Sequence, residues 1–328
     1  MERRTLLGAA GLAALAGVLP RASKAQDAPK YTVALIPGLT TDAFYITMNR
    51  GAQAAADALG VELVFQGAPN FNPVEQVPVL DAVIARQPDA ILIAPTDTTQ
   101  LVEPLRRAAD AGIPVITVDT FIGTGKYQTG AGDADFPLSY IASDNVLGGR
   151  MAARALAEAI GGEGAVYVSN VNPGISTTDQ REEGFKLEMS ENFPNIEVLE
   201  TQFNNNDANN AASQLQAVFA RSPNLKGVFG ANLFSAIGAA NGVQQAGQTG
   251  TIRVVAFDAP QSIVDNIKSG LVDMAIAQHP AEIGWFGVAA AYAHLTGQSI
   301  PVAIGTGFTV LDSSNVDDPE VAKFIYSE

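Results

Sequence analysis

Residues 31–56 read YTVALIPGLTTDAFYITMNRGAQAAA. A continuous apolar run, Thr32 to Ile36, meets a Pro-Gly turn, then a polar tip at Thr40-Thr41-Asp42. Two aromatics come next, Phe44 and Tyr45, and then a helical pattern. A short apolar run feeding a helix predicts a strand entering a parallel sheet. In open α/β sheets ligands lie beyond the carboxyl ends of the strands. The tip therefore stands where a ligand would stand, and it offers a carboxylate beside two rings.

The same rhythm continues along the chain. Expected strands run through 61–66, 90–94 and 113–118, with helices over 72–86 and 100–111. A glycine-bearing loop, 120–137, comes after these, and Ile141 to Asn145 leads into a helix reaching Ile160. Further strands are predicted near 165–169, 196–202, 227–230, 252–257, 273–277 and 307–311, with helices between most of them. Such alternation implies parallel sheets. At 328 residues two domains are expected rather than one. The expected partition assigns 31–143 with 279–306 to one ligand-binding domain and 144–278 with 307–328 to the other.

Composition excludes several classes. The formal net charge is −15, and the basic residues are scattered without a basic run. That argues against nucleic acid and against anionic membrane surfaces as partners. With no cysteine, disulfides, thiolate metal sites and cysteine nucleophiles are ruled out. Near the start, Arg3 and Arg4 precede the apolar run Leu6 to Leu19, then Pro20 and Ser23-Lys24-Ala25. This pattern predicts a signal peptide of twin-arginine character over 1–25, and hence a periplasmic protein.

Catalytic patterns are missing from the sequence. The two histidines, His279 and His294, stand near no nucleophile motif, and there is neither G-x-S-x-G nor H-E-x-x-H. GTGKYQTGAG at 123–132 lacks the spacing of a phosphate loop, and Asp133 and Asp135 lack the rest of a calcium loop. No cofactor is expected. The residues standing after the strands are instead Asp42, Phe44, Tyr45, Asp119, Asp179, Asn206, Asn232, Phe257, Asp258 and Gln278. Carboxylates and amides bind vicinal hydroxyls, and rings cover the C–H faces of a sugar. Asp97, Asp144 and Asp207 precede helices and read as N-caps; Asp42 and Asn232 suit either a cap or a turn as well as a pocket. Trp285, on an apolar helix, reads as packing.

Seven segments in order carry a resemblance: VALIPGLTTDAFYITMNRGAQAAADALG, ILIAPTDTT, IPVITVDT, IASDNVLGGRMAA, GVFGANLFSAIGAA, VVAFDAP and MAIAQHPAEIGWFGV. Together the chain resembles a periplasmic solute-binding protein of the ribose-binding type, the receptor of a sugar ABC transporter. The resemblance spans Thr32 to about Leu311. It implies two Rossmann-like domains joined by a three-stranded hinge and closing over one monosaccharide. It implies a monomer that delivers to a membrane permease, and it allows a chemoreceptor as a second partner. Phe44, Tyr45, Asp119, Asn232, Phe257, Asp258 and Gln278 match the family's pocket.

Four positions depart from that pattern. Asp42 stands where Asn is common, Ala94 where Asn often stands, Thr120 where Arg often comes after the strand-four Asp, and Asp179 where a second Arg often opens a helix. On this reading two guanidinium groups are lost and carboxylates gained. A site of Asp42, Asp119, Asp179 and Asp258 then calls for a donor-rich ligand: a neutral sugar or sugar alcohol, or alternatively an amino sugar or other small cation.

Overall fold

The computed structural model describes residues 31–326. The predicted signal peptide lies outside the described residues. Among those described, no helix is long and apolar enough to cross a membrane.

The chain begins with β1 (Tyr31–Ile36), α1 (Ala43–Leu59), β2 (Val61–Phe65), α2 (Pro73–Ile84), β3 (Ala90–Ile93), α3 (Val102–Asp110), β4 (Val115–Val118) and β5 (Ser139–Ser143). It continues with α4 (Asn145–Ala159), β6 (Gly164–Asn170), α5 (Ser176–Asn192), β7 (Ile196–Val198), β8 (Gln202–Phe203), α6 (Ala208–Arg221), β9 (Leu225–Gly230) and α7 (Leu233–Gln245). Then come β10 (Arg253–Phe257), α8 (Gln261–Lys268), β11 (Met274–Gln278), α9 (Pro280–Leu295), β12 (Ala303–Thr306), β13 (Phe308–Asp312) and α10 (Pro319–Ala322).

Two sheets result. The first has the order β2-β1-β3-β4-β5-β12, and the second β7-β6-β9-β10-β11-β13, with β8 also paired to β6. The orders are equivalent, so the fold is one doubly wound unit built twice. Among the described residues, only β13 runs antiparallel to its neighbour. Central strands such as β3 and β4 are buried at every residue, as parallel strands covered by helices on both faces must be.

The chain passes between the sheets three times: after β5, after β11, and at Gly307 between β12 and β13. The hydroxyls of Ser143 and Thr306 meet at 3.2 Å, tying the first crossing to the third. Strands β5 and β12 escape the sequence reading. β5 is a short partly polar run that passes straight into the Asp144 cap, and β12 is short and largely exposed. Neither leaves a clear periodicity.

Each domain holds a close helix pair, and glycines permit both. α1 crosses α9 where a Cβ on Gly51 would stand 1.9 Å from the Ala281 carbonyl oxygen, and one on Gly284 2.0 Å from that of Met48. α4 crosses α5 in the same way. A Cβ on Gly149 would stand 2.0 Å from the Arg181 carbonyl oxygen, and one on Gly184 2.0 Å from that of Val146. The second crossing fixes where the start of α5 points. Trp285, read as packing, is instead 40% exposed on α9.

Gly149→Ala should therefore push α5 away from α4 and destabilise the protein by about 1–3 kcal/mol, the usual cost of overpacking a tight contact. Urea unfolding measures this. An unchanged midpoint would show that the crossing can relax.

Candidate binding site

Both sheets aim the carboxyl ends of their strands at one cleft. About 430 Å³ of space free of protein atoms lies in it, open solvent at the mouth included. Two hydrogen bonds join the domains across the mouth. Thr98 N donates to Gly174 O at 3.1 Å, and Phe121 N to Ser176 Oγ at 3.0 Å.

From the first domain, Asp42 caps α1. Its Oδ1 accepts from Phe44 N at 2.9 Å, so the cap and pocket readings hold together. Phe44 and Tyr45 are both buried and both line the cleft. Their rings meet edge to face at 5.1 Å, and the Tyr45 hydroxyl donates to Asp119 Oδ2 at 2.8 Å. From the second domain, Asn232 caps α7 through Oδ1 and donates from Nδ2 to Asn206 Oδ1 at 2.7 Å. Gln278 donates to Asp258 Oδ1 at 2.9 Å, while its own Oε1 is buried without a partner.

Asp119 and Asp258 end equivalent strands, β4 and β10, and both have left-handed backbones, with φ of 62° and 74°. Outside glycine that conformation is uncommon, although Asp tolerates it better than most. Strained residues held so in two equivalent places indicate a site built to aim them. Thr120, next after Asp119, is turned into the protein instead: it is fully buried and its hydroxyl has no partner.

Two of the sequence-derived residues do not line the cleft. Phe257 is core, fully buried, and packs edge-on against Phe229 and Phe308. Asp179 is turned away, and its Oδ2 accepts from Gly174 N at 2.8 Å. The reason is helical geometry. On α5, which begins at Ser176 rather than Thr178, Thr177, Thr178 and Arg181 line the cavity at i, i+1 and i+4. Asp179, two residues before Arg181, falls about 200° away from it around the helix.

Arg181 corrects the expectation that both guanidinium groups are lost. It is 2% exposed and lines the cleft. Nε donates to Asn145 Oδ1 at 2.9 Å and Nη1 to Ala231 O at 2.9 Å, and its Cζ lies over the Phe257 ring, 3.8 Å from the centroid. An arginine has five N–H donors, so others remain for the cavity. Phe257 thus serves the site from beneath, as the platform of this arginine. The Thr177–Arg181 spacing was the sequence signal; matching position 179 to the family pattern hid it. Phe71, from the loop after β2, also lines the cleft and left no signal.

The electrostatics of the site are set by burial. Desolvation pushes Asp42 up to about 7, with the Asp258 charge adding to it. Desolvation pushes Asp119 up to about 6, held back by Arg181 and by the Tyr45 hydroxyl. Tyr45 is raised well above its ordinary value by burial and then by the Asp119 charge, so it remains a donor.

Known proteins share this arrangement. Residues 33–299 match the family model described as periplasmic binding protein domain. The chain is 31% identical over 300 residues to the ribose import binding protein of Salmonella typhimurium, covering 92% of this chain and 95% of that protein. A solved ABC transporter solute-binding protein of Agrobacterium vitis, bound with α-D-tagatopyranose, is 77% identical. The match covers 91% of this chain and 100% of that one, at a TM-score of 0.90. A second solute-binding protein of A. vitis, with bound D-fucose, is 28% identical with a TM-score of 0.83, covering 90% and 100%. The fold and site define a two-domain solute-binding protein of type I. The chain belongs to the periplasmic binding proteins, in the ribose-binding group whose members serve sugar ABC transporters.

A carboxyl whose folded value is raised keeps its stabilising contribution at low pH and loses it as pH rises through the folded value. For Asp42 that window runs from about 4 to about 7. Ligand-free Asp42→Asn should therefore show a flatter fall of thermal midpoint between pH 4 and 7.5 than the unaltered protein. Equal slopes would mean that Asp42 ionises as freely as in water.

Proposed function

We propose that this protein captures one neutral monosaccharide from the periplasm by domain closure and delivers it to the permease of an ABC importer. The observation that carries this is the cleft's lining: three carboxylates, one guanidinium, the amides of Asn206, Asn232 and Gln278 from the second domain, and the rings of Phe44, Tyr45 and Phe71. A sugar hydroxyl both donates and accepts, so it can bridge an Asp on one side to Arg181 or an amide on the other. The rings suit the apolar faces of a pyranose. Among sugars, the 77% identity to a protein holding α-D-tagatopyranose makes D-tagatose the leading ligand for this chain.

An amino sugar or other small cation is the weaker reading. It rested on a pocket of carboxylates without a counter-charge, and Arg181 supplies one. A sugar alcohol meets the same polar groups but presents no rigid ring face.

The division of the site accounts for closure. Asp42, Tyr45 and Asp119 belong to the first domain, and Arg181, Asn232 and Asp258 to the second. A ligand touching both gains its full set of bonds only when the cleft is shut, so binding shifts the hinge equilibrium toward the closed form. The chain is proposed to act as an exported monomer, the twin-arginine segment directing it across the membrane. The closed form could also present itself to a chemoreceptor. The site is proposed to bind and release its ligand unaltered, without catalysis.

Calorimetry against D-tagatose, D-ribose, D-allose, D-arabinose, D-fucose, a hexitol and D-glucosamine tests the ligand. D-Tagatose should bind tightest and D-glucosamine poorly; tight glucosamine binding with none to neutral sugars would reverse the reading. Asp119→Ala and Asp258→Ala should each weaken binding by about 2–4 kcal/mol through loss of a charge-assisted bond. Asp179→Ala should change it by less than about 0.5 kcal/mol, as for a residue outside the contact set. A large loss from Asp179→Ala would place that carboxylate on the ligand.

A further inference from the structure

The segment after β13 returns to the binding site. α10 leads to Phe324, whose ring stacks on His279 at 4.1 Å between centroids, and then to Tyr326. The backbone of Tyr326 is tied to the loop after β10: its N–H donates to Ala259 O at 2.9 Å, and it forms a parallel bridge with Pro260. Its side chain is 3% exposed. The hydroxyl accepts from Gln278 N at 2.8 Å and donates to Asp258 Oδ1 at 3.0 Å. Burial, and then the Asp258 charge, raises this phenol well above its ordinary value, so it stays protonated and donates.

Asp258 is held from three sides. Oδ1 takes the Tyr326 hydroxyl and Gln278 Nε2, and Oδ2 takes Leu233 N at 3.2 Å. These bonds help hold its left-handed backbone in place. On the opposite side, the Tyr326 ring meets Phe44 edge-on at 5.8 Å. Phe44 belongs to the other domain's wall of the cleft. One tyrosine therefore touches a carboxylate of the second domain, the backbone at a hinge crossing, and an aromatic wall of the first domain.

We propose that Tyr326 is a positioning residue of the binding site: it fixes the Asp258 carboxylate for the ligand and joins that arrangement to Phe44 across the hinge. A core position needing only an apolar filler would be served by phenylalanine. Here the hydroxyl is the part that reaches the site. The inference rests on the cleft being the ligand site proposed above.

The test uses the full protein and D-tagatose. Dissociation constants are measured by calorimetry for the unaltered chain, Tyr326→Phe, Asp258→Asn and the double variant. Tyr326→Phe keeps the ring against Phe44 and removes the hydroxyl. It should weaken binding about tenfold, the usual effect of losing one bond to a charged group, and it should also lower the ligand-free thermal midpoint, because the buried Gln278 N–H loses its acceptor. In the Asp258→Asn background the same change should weaken binding by less than about threefold, because its effect passes through Asp258. A change under twofold in Tyr326→Phe, or an undiminished tenfold effect without the carboxylate, overturns the proposal.

A measurement on the unaltered chain stands beside this, should the variant not fold. Saturating D-tagatose should slow hydrogen exchange at the Gln278 amide, which donates to the Tyr326 hydroxyl. An unchanged rate overturns the proposal. If D-tagatose gives no binding heat but another panel sugar does, the ligand assignment fails and the four-variant comparison is decided with that sugar. Binding of no sugar removes both.

Discussion

One buried guanidinium sets the terms for the rest of the site. Arg181 lies in a cleft with Asp42, Asp119 and Asp258, and removing charges from water is costly unless they are compensated. Its charge opposes the rise in the affinity of Asp42 and Asp119 for protons. Yet its bonds go to Asn145 and Ala231, with Phe257 beneath. The arginine is thus held by neutral groups, and its field serves the carboxylates without consuming their oxygens.

The holding groups connect the site to the hinge. Asn145, which accepts from Arg181, donates to Ser143 O at 3.0 Å, at the first crossing. The Ser143 hydroxyl in turn meets Thr306, at the third. Gln278, at the second crossing, donates to Asp258. All three crossings therefore bear on the two charged groups that the second domain brings to the cleft. A shift of the hinge moves their supports, which is the physical content of coupling capture to closure.

Much of this was legible in the sequence, for identifiable reasons. Buried parallel strands leave unbroken apolar runs, so β1, β3, β4 and β10 stand out. Polar residues directly after such strands have few roles other than caps and ligands, so Asp42, Asp119, Asn232, Asp258 and Gln278 could be read as cleft residues. Phe257 is expected from the sequence on the cleft wall, but its place is beneath Arg181. Asp179 is taken for a cleft residue by matching it to the family's arginine position, but Arg181, two residues on and about 200° around the helix, holds the cavity face.

By itself the sequence determined the doubly wound class, its duplication, and the carboxylate-rich strand ends, because these depend on local periodicity and on the residue types at each strand's carboxyl end. Tertiary structure decided the charge balance. Whether Arg181 or Asp179 faces the cavity depends on the glycine-mediated crossing of α4 and α5, and Tyr326 reaches Asp258 only because the last segment folds back beneath the hinge. The stretch 31–56 fixed one wall of the cleft; the side chains facing that wall come from far along the chain, and only packing brings them there.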